Sequence, residues 1–329
     1  MRIEGIRNVV IVGAGTMGPG IAATFARHGY DATLTDIDAQ QIDKARATLE
    51  LVFTTWKAGG FASDADIAAA RGRLTLAIDA SEKIARADFV LENAPERLEL
   101  KREIFAHLCG VTRASAILAS DTSGIPITDI QRDLPNPGRI VGMHWSNPPH
   151  LIPVIEVVRG RETAPATVDT IVALVESVAM IPAIVDRDVP GFVENRILYA
   201  VMREALHLLD ERVASAEAID TIVRWGIGYK LGVVGPLRLL DMAGLDIYTA
   251  VASYLNRDLC NDSGVSSTVT SKVAAGRLGV KTQGGLFDYT PEEVERLARE
   301  RGRLLVASKK ALTSRPYLSI TRRLRRSAD

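Results

Sequence analysis

The run NVVIVGAGTMGPGIAATFARHGYDATLTDID constrains this chain more than any other. A short apolar stretch, Val9 to Val12, leads directly into Gly13, Gly15 and Gly18 at G-x-G-x-x-G spacing. The next residues read as a helix closed by Gly29, followed by a second apolar stretch that ends at Asp36. The three glycines serve different physical ends. Gly13 permits a tight turn, Gly15 lets backbone N–H groups approach a pyrophosphate, and Gly18 lets helix and strand pack closely. Thr16 and Met17 lie between them, where the helix N-terminus carries a partial positive charge that suits phosphates. Asp36 is placed to hydrogen-bond ribose hydroxyls, and Ile37 and Asp38 follow it, so no arginine waits for a 2′-phosphate. The expected cofactor is therefore NAD rather than NADP.

The same alternation continues. Helical stretches and strands succeed one another through ADFVLENAPE, LELKREIFAHLCG, AILASDTSG and RIVGMH. That order predicts an α/β fold, an N-terminal Rossmann-like doubly wound parallel sheet. Ligands of such sheets sit at the carboxyl ends of the strands. The polar clusters Asn93 to Glu96 and Ser120 to Gly124, with His144, all fall there. With 329 residues the chain exceeds what one core usually holds. The Pro/Gly link DRDVPGF marks a boundary, giving an NAD-binding domain over 1–187 and an all-helical domain over 188–329.

Composition excludes more than it selects. Forty basic and forty acidic residues cancel, so no global field argues for nucleic acid or an anionic membrane. The basic cluster at 322–327 reads as a solvated terminus. No apolar run approaches the ~18 residues of a membrane span. The start of the chain runs straight into a strand with no secretory pattern, and Cys109 and Cys260 lie far apart without metal-type spacing. A reduced, cytoplasmic protein with no metal is expected.

The stretch GMHWSNPPHLIPVIEVV sets His144 before a rigid turn and Glu156 twelve residues later among valines and isoleucines. These residues, with GAGTMGPGIA, APERLELKREIF, SDTSGIPIT, DVPGFVENRIL, GPLRLLDMAGLD and GRLGVKTQGGLFDY, resemble the NAD-dependent 3-hydroxyacyl-CoA dehydrogenase family over nearly the whole chain. The resemblance implies a catalytic pair at His144 and Glu156. Chemistry supports the transfer: antiparallel strands around a bend near His150 would place the two side chains opposite each other. Imidazole titrates nearest neutrality, and a partly buried carboxylate on its other nitrogen fixes the tautomer. By the same resemblance Ser123 would hydrogen-bond the reacting oxygen and Asn195 would position it. Glu96 and Lys101 would line the nicotinamide ribose side, Asn147 would face the cofactor, and the helical domain would cap the site and form a homodimer.

Three departures bear on substrate. The helical arm after the second strand offers Lys57 and few other cations before Arg71 and Arg73, which suits CoA phosphates poorly. A second imidazole, His150, follows the catalytic turn, and WGIGYKLGVVGP replaces a shorter turn and adds Lys230, a cation for a small anion. Family base rate favours conversion of a 3-hydroxyacyl-CoA to a 3-oxoacyl-CoA. The departures favour a side branch acting on small carboxylated substrates, such as a pyridine carboxylate of vitamin B6 degradation. A catalytically idle, crystallin-like NAD-binding protein is the third alternative, against which the intact His–Glu pair stands.

Overall fold

In the computed structural model, residues 2–313 are described, so the basic cluster at 322–327 lies outside the described residues. Eight strands form one sheet: β1 (Asn8–Val12), β2 (Asp31–Thr35), β3 (Leu74–Ala77), β4 (Phe89–Glu92), β5 (Ile117–Ser120), β6 (Ile140–Trp145), β7 (Val154–Val158) and β8 (Ile181–Val185). Their spatial order is β3-β2-β1-β4-β5-β6-β7-β8. The first six are mutually parallel, β7 runs antiparallel to β6, and β8 runs parallel to β7. The order reverses between β1 and β4, which is the switch point where doubly wound sheets bind ligands.

Both faces of this sheet are covered, so its strands bury successive residues on opposite sides. Val9 and Ile11 of β1 and Phe89 and Leu91 of β4 face one apolar layer. That layer is supplied by α1 (Gly18–Arg27), α2 (Ala39–Ala58) and the later α7 (Pro165–Ser177), with Ala70 from α3 (Asp64–Gly72). Val10 and Val90 face the opposite layer, supplied by α5 (Leu98–Val111) and α6 (Ile127–Gln131), with Ile84 of α4 (Ser81–Ala85) packed against it. The pleat decides the site: Met143, Trp145, Ile155 and Val157 point into the first layer. Their neighbours His144 and Glu156 therefore point to the other side, where Phe192 packs.

The remaining helices are α8 (Glu194–Asp210), α9 (Ala216–Ile222), α10 (Tyr229–Leu231), α11 (Pro236–Ala243), α12 (Leu245–Asp258), α13 (Ser267–Ala274) and α14 (Pro291–Thr313). The chain forms two compact units, one of residues up to Asn195 joined by the chain from Gly302, and one of Arg196–Arg301. The last helix thus re-enters the first unit, where Lys309 and Lys310 lie over the Phe61 ring at 5.6 and 5.7 Å. Among the described residues of the second unit, Ile219 is the one large apolar side chain that is buried. The stretch around Lys230 is helical: α9 passes through a π-helical segment, Val223–Gly228, into α10. No described helix is long and apolar enough to cross a membrane.

Candidate active site

The glycine turn fits a dinucleotide. Gly13 sits at φ +111°, and a Cβ there would meet the Asn93 carbonyl oxygen at 2.6 Å. A Cβ on Gly18 would lie 2.2 Å from the Gly13 oxygen. Those two positions are closed by the fold itself, whereas a Cβ on Gly15 would meet nothing within 4 Å. The space over Gly15, at the start of α1 and beside exposed Thr16 and half-buried Met17, is where backbone N–H groups are open to phosphate oxygens. Asp36 directly follows β2, with Oδ2 accepting from the Ala14 N–H at 2.8 Å and Oδ1 from the Asp38 N–H at 3.1 Å. The acid is thereby fixed one strand away from the glycine turn, the arrangement a ribose diol requires.

At the far end of the sheet, β6 and β7 pair so that His144 lies opposite Glu156. The His144 Nδ1 is 2.8 Å from Glu156 Oε2, and both side chains are buried. Glu156 Oε1 accepts two further bonds, from the Val193 and Glu194 N–H groups at 3.0 and 3.1 Å. Phe192, one residue earlier, holds a left-handed φ of +47° and packs edge-on against the imidazole with centroids 5.8 Å apart. A bulky residue in that conformation carries strain, of order 1–3 kcal/mol, that surrounding contacts must hold. Here it aims two consecutive N–H groups at one carboxylate oxygen.

Electrostatics follow from this packing. Burial disfavours charge on His144, but the Glu156 hydrogen bond and the charges of Glu156 and Glu194 outweigh it and raise its pKa above the ordinary imidazole value. Burial likewise works against the Glu156 carboxylate, yet the bonds from His144, Glu194 and Val193 bring its pKa below the usual carboxylate range. The pair is therefore built to carry a proton on the ring and a charge on the acid. Asp121, which accepts from the Trp145 N–H at 2.7 Å, is pushed up to about 8 by burial.

The other expected residues divide. Asn195 donates from Nδ2 to the Ser123 carbonyl at 2.8 Å, joining two residues expected to meet at the reacting oxygen. Exposed Asn147 follows β6 closely. Glu96 spends Oε1 on Thr122 Oγ1 and on the Ser123 and Gly124 N–H groups, so it organises the turn that presents Ser123. Lys101 lies deep in the fold. It is 1% exposed, and its ammonium is engaged by both Glu92 oxygens at 2.8 and 3.1 Å and by the Ala94 carbonyl at 3.2 Å. With Glu96 3.5 Å away as well, its donors are taken up within the protein and it acts as an internal brace rather than a free cation. The His150 ring packs against Trp56, 6.4 Å between centroids, and burial with the Lys309 charge lowers its pKa to about 4. A ring kept neutral supplies no cation for a carboxylate. Lys230 lies exposed on α10 in the second unit.

Glu92, Ser146 and Glu194 were not read from sequence as site members, and Asp121 only as part of the polar cluster Ser120 to Gly124. Ser146 Oγ donates to Glu194 Oε2, and the Glu194, Glu156 and His144 side chains converge within 4.8 Å. Glu92 accepts from Ser120 Oγ at 2.6 Å and from Lys101. An acid ending an apolar strand, with a lysine nine residues later on a helix, was the signal available for that pair.

Residues 8–189 match the 3-hydroxyacyl-CoA dehydrogenase, NAD binding domain, and residues 191–289 match the 3-hydroxyacyl-CoA dehydrogenase, C-terminal domain. The chain belongs to the 3-hydroxyacyl-CoA dehydrogenase family. It is an NAD-dependent oxidoreductase of that family. It is 47% identical over 310 residues to 5-formyl-3-hydroxy-2-methylpyridine 4-carboxylate 5-dehydrogenase of Mesorhizobium japonicum, covering 94% of this chain and 99% of that one. A crystal structure of the dehydrogenase of that name, described as an NAD+ dependent dismutase, superposes with a TM-score of 0.88 over 94% of this chain and 99% of that one, at 47% identity. The 3-hydroxybutyryl-CoA dehydrogenase of Bradyrhizobium diazoefficiens is 35% identical over 285 residues, 86% of this chain and 96% of that one.

Proposed function

We propose that this family member oxidises a small carboxylated substrate of the pyridine carboxylate class, in place of a CoA ester, with His144 as the proton acceptor and Glu156 as its partner. The observation that carries the substrate reading is the near-full-length likeness to the pyridine carboxylate dehydrogenase, well above that to the acyl-CoA enzyme. The helical arm agrees. Lys57 is paired with Asp64 at 2.6 Å and Arg71 with Glu50 at 2.5 Å, so two of its few cations already have partners.

The chemistry follows from the tautomer. With Nδ1 held by Glu156, the proton on the neutral ring sits at Nδ1 and Nε2 keeps its lone pair. Nε2 then accepts the proton of a substrate hydroxyl, and Glu156 offsets the charge of the resulting imidazolium. Bound NAD would supply the hydride acceptor for the carbon that bears that hydroxyl, which in a formyl substrate is the aldehyde carbon after water has added to it, so that loss of hydride and proton leaves a carboxylic acid. Ser123, tied to Asn195, holds the oxygen, and the apolar strand residues and Phe192 keep water from the ring.

In this reading residues 188–329 serve as the substrate-capping and dimer-forming part. Trp225, Tyr229, Leu237, Met242 and Tyr254 are exposed there, an apolar surface that a second copy would cover. Lys230 offers a cation in that part for a substrate carboxylate.

The test is NADH formation by the purified protein with 5-formyl-3-hydroxy-2-methylpyridine 4-carboxylate beside 3-hydroxybutyryl-CoA. Turnover of the pyridine alone supports the proposal. Turnover of the CoA ester alone refutes it and restores the acyl-CoA reading that the family's name favours. NAD binding without turnover of either refutes it in favour of an idle NAD-binding protein.

A further inference from the structure

The second unit holds a group of metal-type donors that the dehydrogenase chemistry does not use. The side chains of His207, Cys260 and Asp262 bring an imidazole nitrogen, a thiol sulfur and a carboxylate oxygen within 4.8 Å of one another. We infer that these three residues form a binding site for a zinc-type divalent ion.

The local structure explains how a helix and a distant loop meet. Glu204 and His207 are three residues apart on α8 and therefore share a face. Glu204 Oε2 accepts from the Cys260 N–H at 2.8 Å, which seats the chain leaving α12 on that face. Six residues further, Ser266 caps α13 through its own side chain. Side-chain bonds from Thr268 and Ser266 hold the Asp210 carboxyl below its usual range. The loop from Cys260 to Ser266 is thus fastened at both ends to one helix, with Cys260 and Asp262 on the fastened side. Cys260 and His207 are half-buried and Asp262 is exposed, which leaves room for water at a fourth coordination position.

Donor chemistry selects the ion. Ligands at ~2.0–2.3 Å from a tetrahedral zinc lie about 3.3–3.8 Å from one another. The donor atoms, within 4.8 Å of one another, would draw together by up to about an ångström to reach that geometry. A thiolate with an imidazole disfavours Mg²⁺ and Ca²⁺, which take all-oxygen shells, and favours zinc and its neighbours. The sequence hid the set, because fifty-three positions separate His207 from Cys260.

The experiment uses the full, untagged chain stripped with a chelator and titrated with Co²⁺, then with Zn²⁺ as competitor. One equivalent of Co²⁺ is expected to give a thiolate-to-cobalt charge-transfer band that Zn²⁺ abolishes. Cys260→Ser should remove the band, His207→Gln and Asp262→Asn should weaken Co²⁺ binding at least tenfold, and Cys109→Ser should leave it unchanged. The band also separates this site from His144, Glu156 and Glu194, which contain no sulfur. Asp262 is an exposed loop residue, so its variant keeps the test intact if Cys260→Ser folds poorly. Absence of a band at saturating Co²⁺, or a band that survives Cys260→Ser, overturns the inference.

Discussion

Glu156→Gln is the sharpest perturbation of the candidate site. Three donors point at this one carboxylate: His144 Nδ1 at 2.8 Å on one oxygen, and the Val193 and Glu194 N–H groups at 3.0 and 3.1 Å on the other. An amide keeps only one acceptor oxygen. Turned toward the backbone pair, it faces its NH₂ to Nδ1 and forces the imidazole proton onto Nε2, where no lone pair is left to accept the substrate proton. If only the charge were lost, a hydrogen bond to a charged group worth about 1.5–3 kcal/mol would disappear from the transition state. That is about a 10- to 150-fold loss in rate. A wrong tautomer in a His–acid pair costs about ten-thousand-fold. The tautomer argument therefore predicts a kcat loss near ten-thousand-fold by NADH absorbance, with NAD affinity unchanged by fluorescence titration. The pH profile adds a sign. Oxidation needs neutral His144, so wild-type kcat/KM falls as pH drops through a His144 value raised above 6.5. Without the carboxylate, burial dominates and the residual acid limb moves to lower pH. A loss smaller than tenfold, or an acid limb that stays put, would refute the assignment.

Other outcomes follow from the same geometry. Gly15→Ala should leave the melting temperature unchanged yet weaken NAD binding at least tenfold by calorimetry, because its Cβ occupies open space a pyrophosphate needs; Gly18→Ala should instead destabilise the fold, its Cβ lying 2.2 Å from the Gly13 oxygen. Asp121→Asn should stabilise the protein in chemical denaturation. As pH rises from about 4 to about 8 the unfolded chain releases a proton the native carboxyl keeps, so native stability falls across that window and the gain grows with pH. A gain that is absent at pH 8 would count against the raised value. Lys101→Met leaves Glu92 buried with its ammonium partner gone and should cost about 3–5 kcal/mol in urea unfolding. A neutral result would mean that water replaces the ammonium.

Local sequence carried most of the first unit. The glycine turn, Asp36 and the two-residue alternation of β6 and β7 are each written within a few positions, and the twelve-residue spacing of His144 and Glu156 encodes their cross-strand register. What stayed illegible depends on separation. Glu92 and Lys101 look like a strand-end acid and a surface lysine until α5 folds over the sheet and buries both. His150 looked available because Trp56, its covering ring, lies ninety-four residues earlier. The π-helical form of Val223–Gly228, which takes in Gly226 and Gly228 without breaking the helix, has no local signature in the sequence.

The divided use of Glu156 ties the candidate chemistry to the path of the chain. One oxygen steers the imidazole and the other grips the peptide N–H groups that open α8. A substitution that alters how α8 begins consequently reaches the ring through a single rigid group, without touching substrate. Around this joint the helices that follow cannot be exchanged freely: any change that repositions the first turn of α8 also retunes the His144 imidazole.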